Sequence, residues 1–388
     1  MLKTKVTTSV LIGGYDAGVE VAKKLGDVQN SKVNFLFTSC VMNQKDIVSG
    51  VKSVLGNDAK IIGCTSCGAI MTQEGLIDNP DGFAGLMDFS DEKLTVGIAC
   101  SPKKGDAREL GKKIAKDAVL DAGLNKVPSY FYMVASPKEE EAYLKGIEDV
   151  IGTVPFFGGS AADNTVEGNW SIICGDKIFS DGCAVAFFYD NNECVTEYTG
   201  AYNETNDVGI ITKVKDNRCL VEINGKKALQ QYSEWRGISL DKLMGGNLLV
   251  ETILSPLGVK DILGNVTAIR HPMAGNEDLT MNIGNNLEEK TAVIRMEATV
   301  DELIKSTSNT LRSLNSKMDK TAAGYFLVHC GGRKLGIGQR MSEVYDEVKS
   351  VIGDKPFMMI FTFGEYGYSD HSANTCGGLM LSFTGFSK

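Results

Sequence analysis

Three stretches of this chain share one layout, and that repetition limits the fold more than any other feature. The first runs Val33-Asn34-Phe35-Leu36-Phe37-Thr38-Ser39-Cys40, then a helical pattern, then Lys60-Ile61-Ile62-Gly63-Cys64-Thr65-Ser66-Cys67-Gly68. The second runs Tyr130-Phe131-Tyr132-Met133-Val134-Ala135-Ser136, a helix, then Pro155-Phe156-Phe157-Gly158-Gly159-Ser160. The third runs Tyr325-Phe326-Leu327-Val328-His329-Cys330, a helix, then Phe357-Met358-Met359-Ile360-Phe361-Thr362-Phe363-Gly364-Glu365. Helical stripes lie between the strands: Ile47, Val48, Val51, Val54 and Leu55; Leu144, Ile147, Val150 and Ile151; Val344, Tyr345, Val348 and Val351. Strands without polar alternation are covered on both faces, as in βαβ units. Another apolar run follows each repeat, at 82–89, 183–189 and 377–383. The expected class is mixed α/β (α+β), with repeated β-α-β-β units forming mixed sheets covered by helices.

A single core seldom grows beyond roughly 250–300 residues, so 388 residues predict two intimately packed halves. The boundary is expected near Tyr198-Thr199-Gly200, giving domains 1–200 and 201–388. Between the second and third repeats, 210–215 and 219–223 around Asp216-Asn217 read as a hairpin, Asn224-Gly225 as a turn, 228–235 as a short helix and 291–299 as a strand. Two S/T-x-x-E stretches read as capping boxes, Ser136-Pro137-Lys138-Glu139 and Thr299-Val300-Asp301-Glu302.

A formal charge of −9 and a pI near 5.1 disfavour nucleic acid, whose binding needs clustered cations, and also an anionic membrane surface. Ten scattered cysteines, and an early apolar stretch at 10–12 far too short for a signal segment, predict a reducing, cytoplasmic location.

Across these repeats and the segments around them, the chain resembles the FIST family over nearly its whole length. The N-terminal part carries Phe37-Thr38-Ser39, Ile62-Gly63-Cys64-Thr65-Ser66-Cys67-Gly68, Phe157-Gly158-Gly159-Ser160-Ala161-Ala162-Asp163 and Asp181-Gly182. The C-terminal part carries Ile211-Thr212-Lys213, Asn224-Gly225, Pro256-Leu257-Gly258, Arg270-His271-Pro272, Cys330-Gly331-Gly332-Arg333, Phe363-Gly364-Glu365 and Asn374-Thr375. The resemblance implies a ligand-sensing role in signal transduction, with amino-acid-like or other small polar ligands and a signalling partner such as a histidine kinase. It also admits a haem-binding, nitric-oxide-sensing branch. No output domain fits within 388 residues, so the signal is expected to pass to another chain.

Ligands of open α/β sheets sit outside the carboxyl ends of strands. That rule nominates Ser39, Gly63, Cys64, Gly158, Gly159, Cys330, Gly364 and Glu365, with tight strand-to-helix turns as the alternative use of the glycines. Arg270 and Arg333 are candidates for a carboxylate or phosphate, because a guanidinium forks onto two oxygens; the alternative is a structural ion pair with Glu365 or Asp163. Tyr366 and Tyr368 are candidate pocket walls. Cys64-Thr65-Ser66-Cys67 is a CxxC, which with Cys330 suggests thiol or soft-metal chemistry, but no second CxxC completes a zinc pattern. Of the histidines His271, His329 and His371, His271 is the candidate haem ligand and His329 a structural residue beside Cys330. No Walker, HExxH or GxSxG pattern is present, and Gly336-Ile337-Gly338 lacks the rest of a dinucleotide fingerprint. A binding protein is therefore expected rather than an enzyme.

Overall fold

The computed structural model describes residues 1–190, 192–260, 267–368 and 374–388. The first repeat comprises β1 (Lys3–Ser9), α1 (Gly14–Lys24), β2 (Ser31–Thr38), α2 (Gln44–Leu55), β3 (Ile61–Thr65), the hairpin β4 (Ile70–Thr72) and β5 (Gly75–Ile77), and β6 (Ala84–Ser90). The second repeat has the same plan: β7 (Thr95–Pro102), α3 (Ala107–Ala122), β8 (Tyr130–Ala135), α4 (Glu140–Ile151), β9 (Phe156–Ser160), the hairpin β10 (Ile172–Cys174) and β11 (Lys177–Phe179), and β12 (Gly182–Tyr189). The third opens with β13 (Cys194–Thr199) and is then interrupted by a long insert. The insert holds β14 (Asn203–Lys215), β15 (Cys219–Ile223), β16 (Lys226–Lys227), α5 (Ala228–Arg236), α6 (Asn247–Glu251), β17 (Leu257–Lys260), β18 (Thr267–Arg270), β19 (Pro272–Gly275), β20 (Met281–Ile283) and β21 (Ala292–Glu297). The repeat resumes with α7 (Val300–Lys317), β22 (Ala322–Cys330), α8 (Gly331–Ile337), α9 (Met341–Ile352), β23 (Phe357–Thr362), the hairpin β24 (Glu365–Gly367) and β25 (Thr375–Gly377), and β26 (Leu381–Ser387).

The three repeats exchange their hairpins in a closed cycle. The sheets run β1-β6-β2-β3-β10-β11, β7-β12-β8-β9-β24-β25 and β13-β26-β22-β23-β4-β5, the same order each time. In each, the central pair is parallel (β2 with β3, β8 with β9, β22 with β23), and the strands beyond it are antiparallel. The hairpin of the first repeat completes the third sheet, that of the second completes the first, and that of the third completes the second. Two sheets therefore draw strands from both sides of residue 200, which lies in the link between β13 and β14.

Period-two alternation survives inside these fully buried strands. Phe35 and Phe37, Tyr132 and Val134, and Phe326 and Val328 face a core common to all three sheets. Leu36, Phe131 with Met133, and Tyr325 with Leu327 face the helix layers outside. Phe35, Tyr132 and Phe326 hold equivalent register positions, and their ring centroids lie 5.0, 5.8 and 5.8 Å apart. Such aromatic contacts add about 0.5–1.5 kcal/mol each beyond the area they bury.

The helices pair over the outer faces. A Cβ on Gly18 or Gly50 would strike the carbonyl oxygens of Ile47 or Tyr15, so α1 and α2 cross backbone to backbone. Thr299 and Glu302 form a true capping box at the start of α7. The box expected at Ser136 does not form: α4 begins at Glu140 without a side-chain cap. Ser136 instead turns to β12, its Oγ accepting from Gly182 N at 3.1 Å, and Lys138 takes φ 99° in the intervening turn. The expected hairpin is present between β14 and β15, with Asp216 and Asn217 both left-handed as a tight turn requires. No helix among the described residues is long and apolar enough to cross a membrane.

Candidate functional site

The insert folds around its own core of Ile211, Leu220, Leu229, Tyr232, Leu243 and neighbours, and packs against the repeats. Ile269, Ile294 and Met296 pack there with Cys330, Leu379 and Met380. Beside the seam, Arg218 donates to Glu140 (2.9 Å) and Glu141 (2.6 Å) at the start of α4, to Asn286 Oδ1 (3.1 Å) and to the Gly284 carbonyl. Burial and the adjacent Glu141 raise the Glu140 carboxyl to about 7, while Arg218 pulls it back.

Between insert and repeats lies a cavity of about 1290 Å³ at the carboxyl ends of the parallel strand pairs. All three repeats reach it: Cys67 follows β3, Pro137 and Lys138 follow β8, and Cys330, Gly331 and Gly332 end β22 and open α8. The insert contributes Arg218, Leu249, His271, Met273 and Asn285. A loop after β9 forms another wall. The buried Asp163 carboxylate accepts the backbone N–H groups of Thr165, Val166, Glu167, Gly168 and Asn169, which winds the chain tightly and holds Val166 at φ 63°. A β-branched residue rarely adopts that conformation. Trp170 closes the loop edge-to-face against Phe363, their centroids 6.1 Å apart.

Gly331 and Gly332 bring backbone close to the neighbouring side chains of the lining. A Cβ on Gly331 would lie 3.2 Å from Cys67 Sγ, and one on Gly332 would lie 2.8 Å from Leu379 Cδ2 and 3.5 Å from both Cys330 Sγ and His271 Cε1. Lys334 reaches in beside Asn164, its Nζ 3.8 Å from Asp78 and 5.8 Å from the Phe361 ring centre. Burial lowers the His271 imidazole to about 4, so the ring is neutral at pH 7 and donates Nε2–H to the Leu249 carbonyl at 3.0 Å. Burial also raises the Cys67 thiol to about 11, with Lys334 opposing the rise.

Of the residues nominated from the sequence, Cys67, His271 and Cys330 line this cavity. Gly63 and Gly158 lie within β3 and β9, where a Cβ would collide with the carbonyls of Leu36 and Met133 across the parallel pair; their task is close strand packing. Gly159 and Gly364 touch each other and Ser160 at the β9–β24 junction. Ser39 is buried in the turn before α2, its carbonyl accepting from Gln44. Cys64 is fully buried in the common core beside Tyr132 and Cys67 packs on the opposite side, so the CxxC thiols do not face one site. No group of three or more potential metal ligands occurs among the described residues.

Arg333 is fully buried and donates to the Leu303 carbonyl (2.9 Å), Ser306 Oγ (2.6 Å) and the Leu379 carbonyl (3.4 Å), so it ties α8 to α7 rather than reaching a ligand. Arg270 donates to the carbonyls of Asn286 and Ile269. Neither arginine forms an ion pair with Glu365 or Asp163 among the described residues. Glu365 is buried, accepts from Thr362 Oγ1 and Met380 N, and is raised by that burial to about 8. Tyr366 is buried against Phe156, 3.1 Å from Ser160 Oγ. His329 is buried with Nδ1 on the Cys330 carbonyl, and His371 lies outside the described residues. As an axial haem ligand His271 does not fit as it stands, because its Nε2 is committed to Leu249.

The cavity residues that strand-end reasoning missed include Lys334, Asn285, Lys138 and Trp170. Lys334, in the cavity lining, comes directly after the nominated Arg333, which is buried against α7.

Among solved structures the chain is similar to a crystal structure of cyanuic acid hydrolase from A. caulinodans, at 7% identity and a TM-score of 0.37, with 100% of each chain covered. No curated protein matches it. The FIST N domain matches residues 32–226 and the FIST C domain residues 228–368. The chain therefore belongs to the FIST family, whose domains are sensor domains of signal transduction.

Proposed function

We propose that this protein is a cytoplasmic sensor that binds a small polar metabolite, amino-acid-like or an organic acid, in the cavity between its repeats and its insert. One observation carries the reading: the tips of all three repeats and the face of the insert converge on a single hollow of about 1290 Å³. Concave sites with a few convergent polar groups on apolar walls are where small ligands bind. Here the walls are Leu76, Leu249, Trp170 and Phe363, and the polar groups are Lys334, His271, Asn164 and Asn285.

A ligand touching both bodies stabilises one of their relative positions over another, and the difference in its affinity for the two positions is the signal. The apolar seam and the Arg218 cluster are the contacts such a shift would rework. Another chain, such as a histidine kinase, would read the change. The test is a thermal-shift and calorimetric screen of amino acids and organic acids against wild type and Lys334→Ala. A ligand that stabilises wild type and loses its effect in the variant supports the reading; a screen in which nothing binds, or in which Lys334→Ala binds equally well, counts against it.

A further inference from the structure

Asn285 stands in the cavity wall only 1% exposed, and its Nδ2 has no hydrogen-bond partner among the described residues. A buried amide donor left unmatched costs stability, and native structures seldom keep one without a use. Its Oδ1 lies 3.3 Å, and His271 Cβ 3.5 Å, from the point where a Cβ on Gly378 would sit, so the amide is lodged against fixed backbone beside a neutral ring. Arg218, which reaches the neighbouring Gly284 and Asn286, is already matched by Glu140 and Glu141. This end of the cavity suits an uncharged acceptor.

The other end is cationic. Lys334 Nζ makes no hydrogen bond among the described residues, and its ion pair with Asp78 is long at 3.8 Å. An ammonium carries three donors, so this one has capacity for an anionic oxygen. Gly331 and Gly332 line the same cavity, their backbone packed closely against Cys67, Cys330 and Leu379. The volume of about 1290 Å³ exceeds the roughly 300–1,000 Å³ of ordinary small-molecule sites. A free amino acid would leave most of it unfilled.

We propose that the ligand is an amide-bearing carboxylic acid, a short peptide or an N-acylated amino acid, lying across Gly331-Gly332 with a carbonyl oxygen on Asn285 Nδ2 and its carboxylate near Lys334. This rests on the ligand-binding reading and names the class of ligand for the same cavity. A free amino acid without a side-chain amide or carboxyl has no second carbonyl for Asn285, and a simple amine has nothing for Lys334.

The experiment titrates the full chain with N-acetyl amino acids, di- and tripeptides, their C-terminal amides and free amino acids. Wild type should bind the acids roughly tenfold or more tightly than the matched amides, as expected for a charge-assisted contact. Lys334→Gln should lose that preference and Lys334→Arg should keep it. Asn285→Leu should leave the melting temperature of the ligand-free protein unchanged or raised, because the unmatched donor is gone, while weakening peptide binding roughly tenfold or more. Peptides that bind Asn285→Leu as well as wild type, or free amino acids that bind more tightly than any peptide, would overturn the ligand class while leaving the cavity as a binding site. Silence from every compound, the free amino acids included, would overturn both.

Discussion

Strands β2, β8 and β22 of the repeats are buried along nearly their whole length, whereas the thirteen residues of β14 in the insert alternate between exposed and covered positions. The repeats hide both faces of each sheet, one in the common aromatic core and one under helices. The insert has a sheet covered on one side and a separate core, and it joins the rest through the apolar seam and the Arg218 cluster. A region whose sheets complete one another in a closed cycle cannot shift one part without breaking hydrogen bonds in two sheets. Among the described residues, the half-covered sheet of the insert has no such shared strands with the repeats. The repeats thus form one interlocked body, and the insert a separate core packed on it beside the cavity.

The largest effect that would sharpen this contrast is in the common core. Phe35→Ala should lower unfolding free energy by about 3–5 kcal/mol, read by urea denaturation, with repeats and insert lost in one transition. Survival of the second and third repeats after loss of the first would break the cyclic account. Next comes the latch. Arg218→Ala leaves the 1% exposed Glu140 and its neighbour Glu141 unmatched, at a cost of about 3 kcal/mol. Hydrogen exchange should then rise across residues 203–297 while β2, β8 and β22 stay protected. Equal loss of protection in both regions would mean that the insert is not a separate responding body.

A further effect concerns pH. Burial raises Glu365 from 4.5 to about 8, so the folded protein holds a proton there that the unfolded chain has released at neutral pH. The stability this group contributes is complete below about pH 4.5 and is lost as pH rises through 8. Glu365→Gln should flatten the fall in melting temperature between pH 5 and 8. An unchanged slope would show that the carboxyl is ionised in the fold.

Much of the repeat architecture was legible because buried strands and striped helices leave strong patterns. Val33 to Thr38 and its counterparts, the Asp216-Asn217 turn and the Thr299 cap were each set by local chemistry. The hairpin exchange was not, since β4, β10 and β24 are three-residue strands whose partners lie in other repeats. Ser136 misled for a related reason: its hydroxyl met Gly182, 46 residues away, before it could cap a helix. Of the nominated residues, Gly63 and Gly158 serve a parallel neighbour, Gly159 and Gly364 the β9–β24 junction, and Arg333 serves α7, while Cys67, His271 and Cys330 line the cavity. Long-range packing places Lys334 and Asn285 in the cavity wall, and no spacing in the sequence records that placement.

The most direct test of the central claim is a crystal structure of the protein saturated with its tightest-binding compound. The account predicts density over the Gly331-Gly332 backbone, touching Lys334 on the repeats and Asn285 on the insert, with both bodies in contact with one molecule. Density on another surface, with that hollow filled by the protein's own side chains, would contradict it.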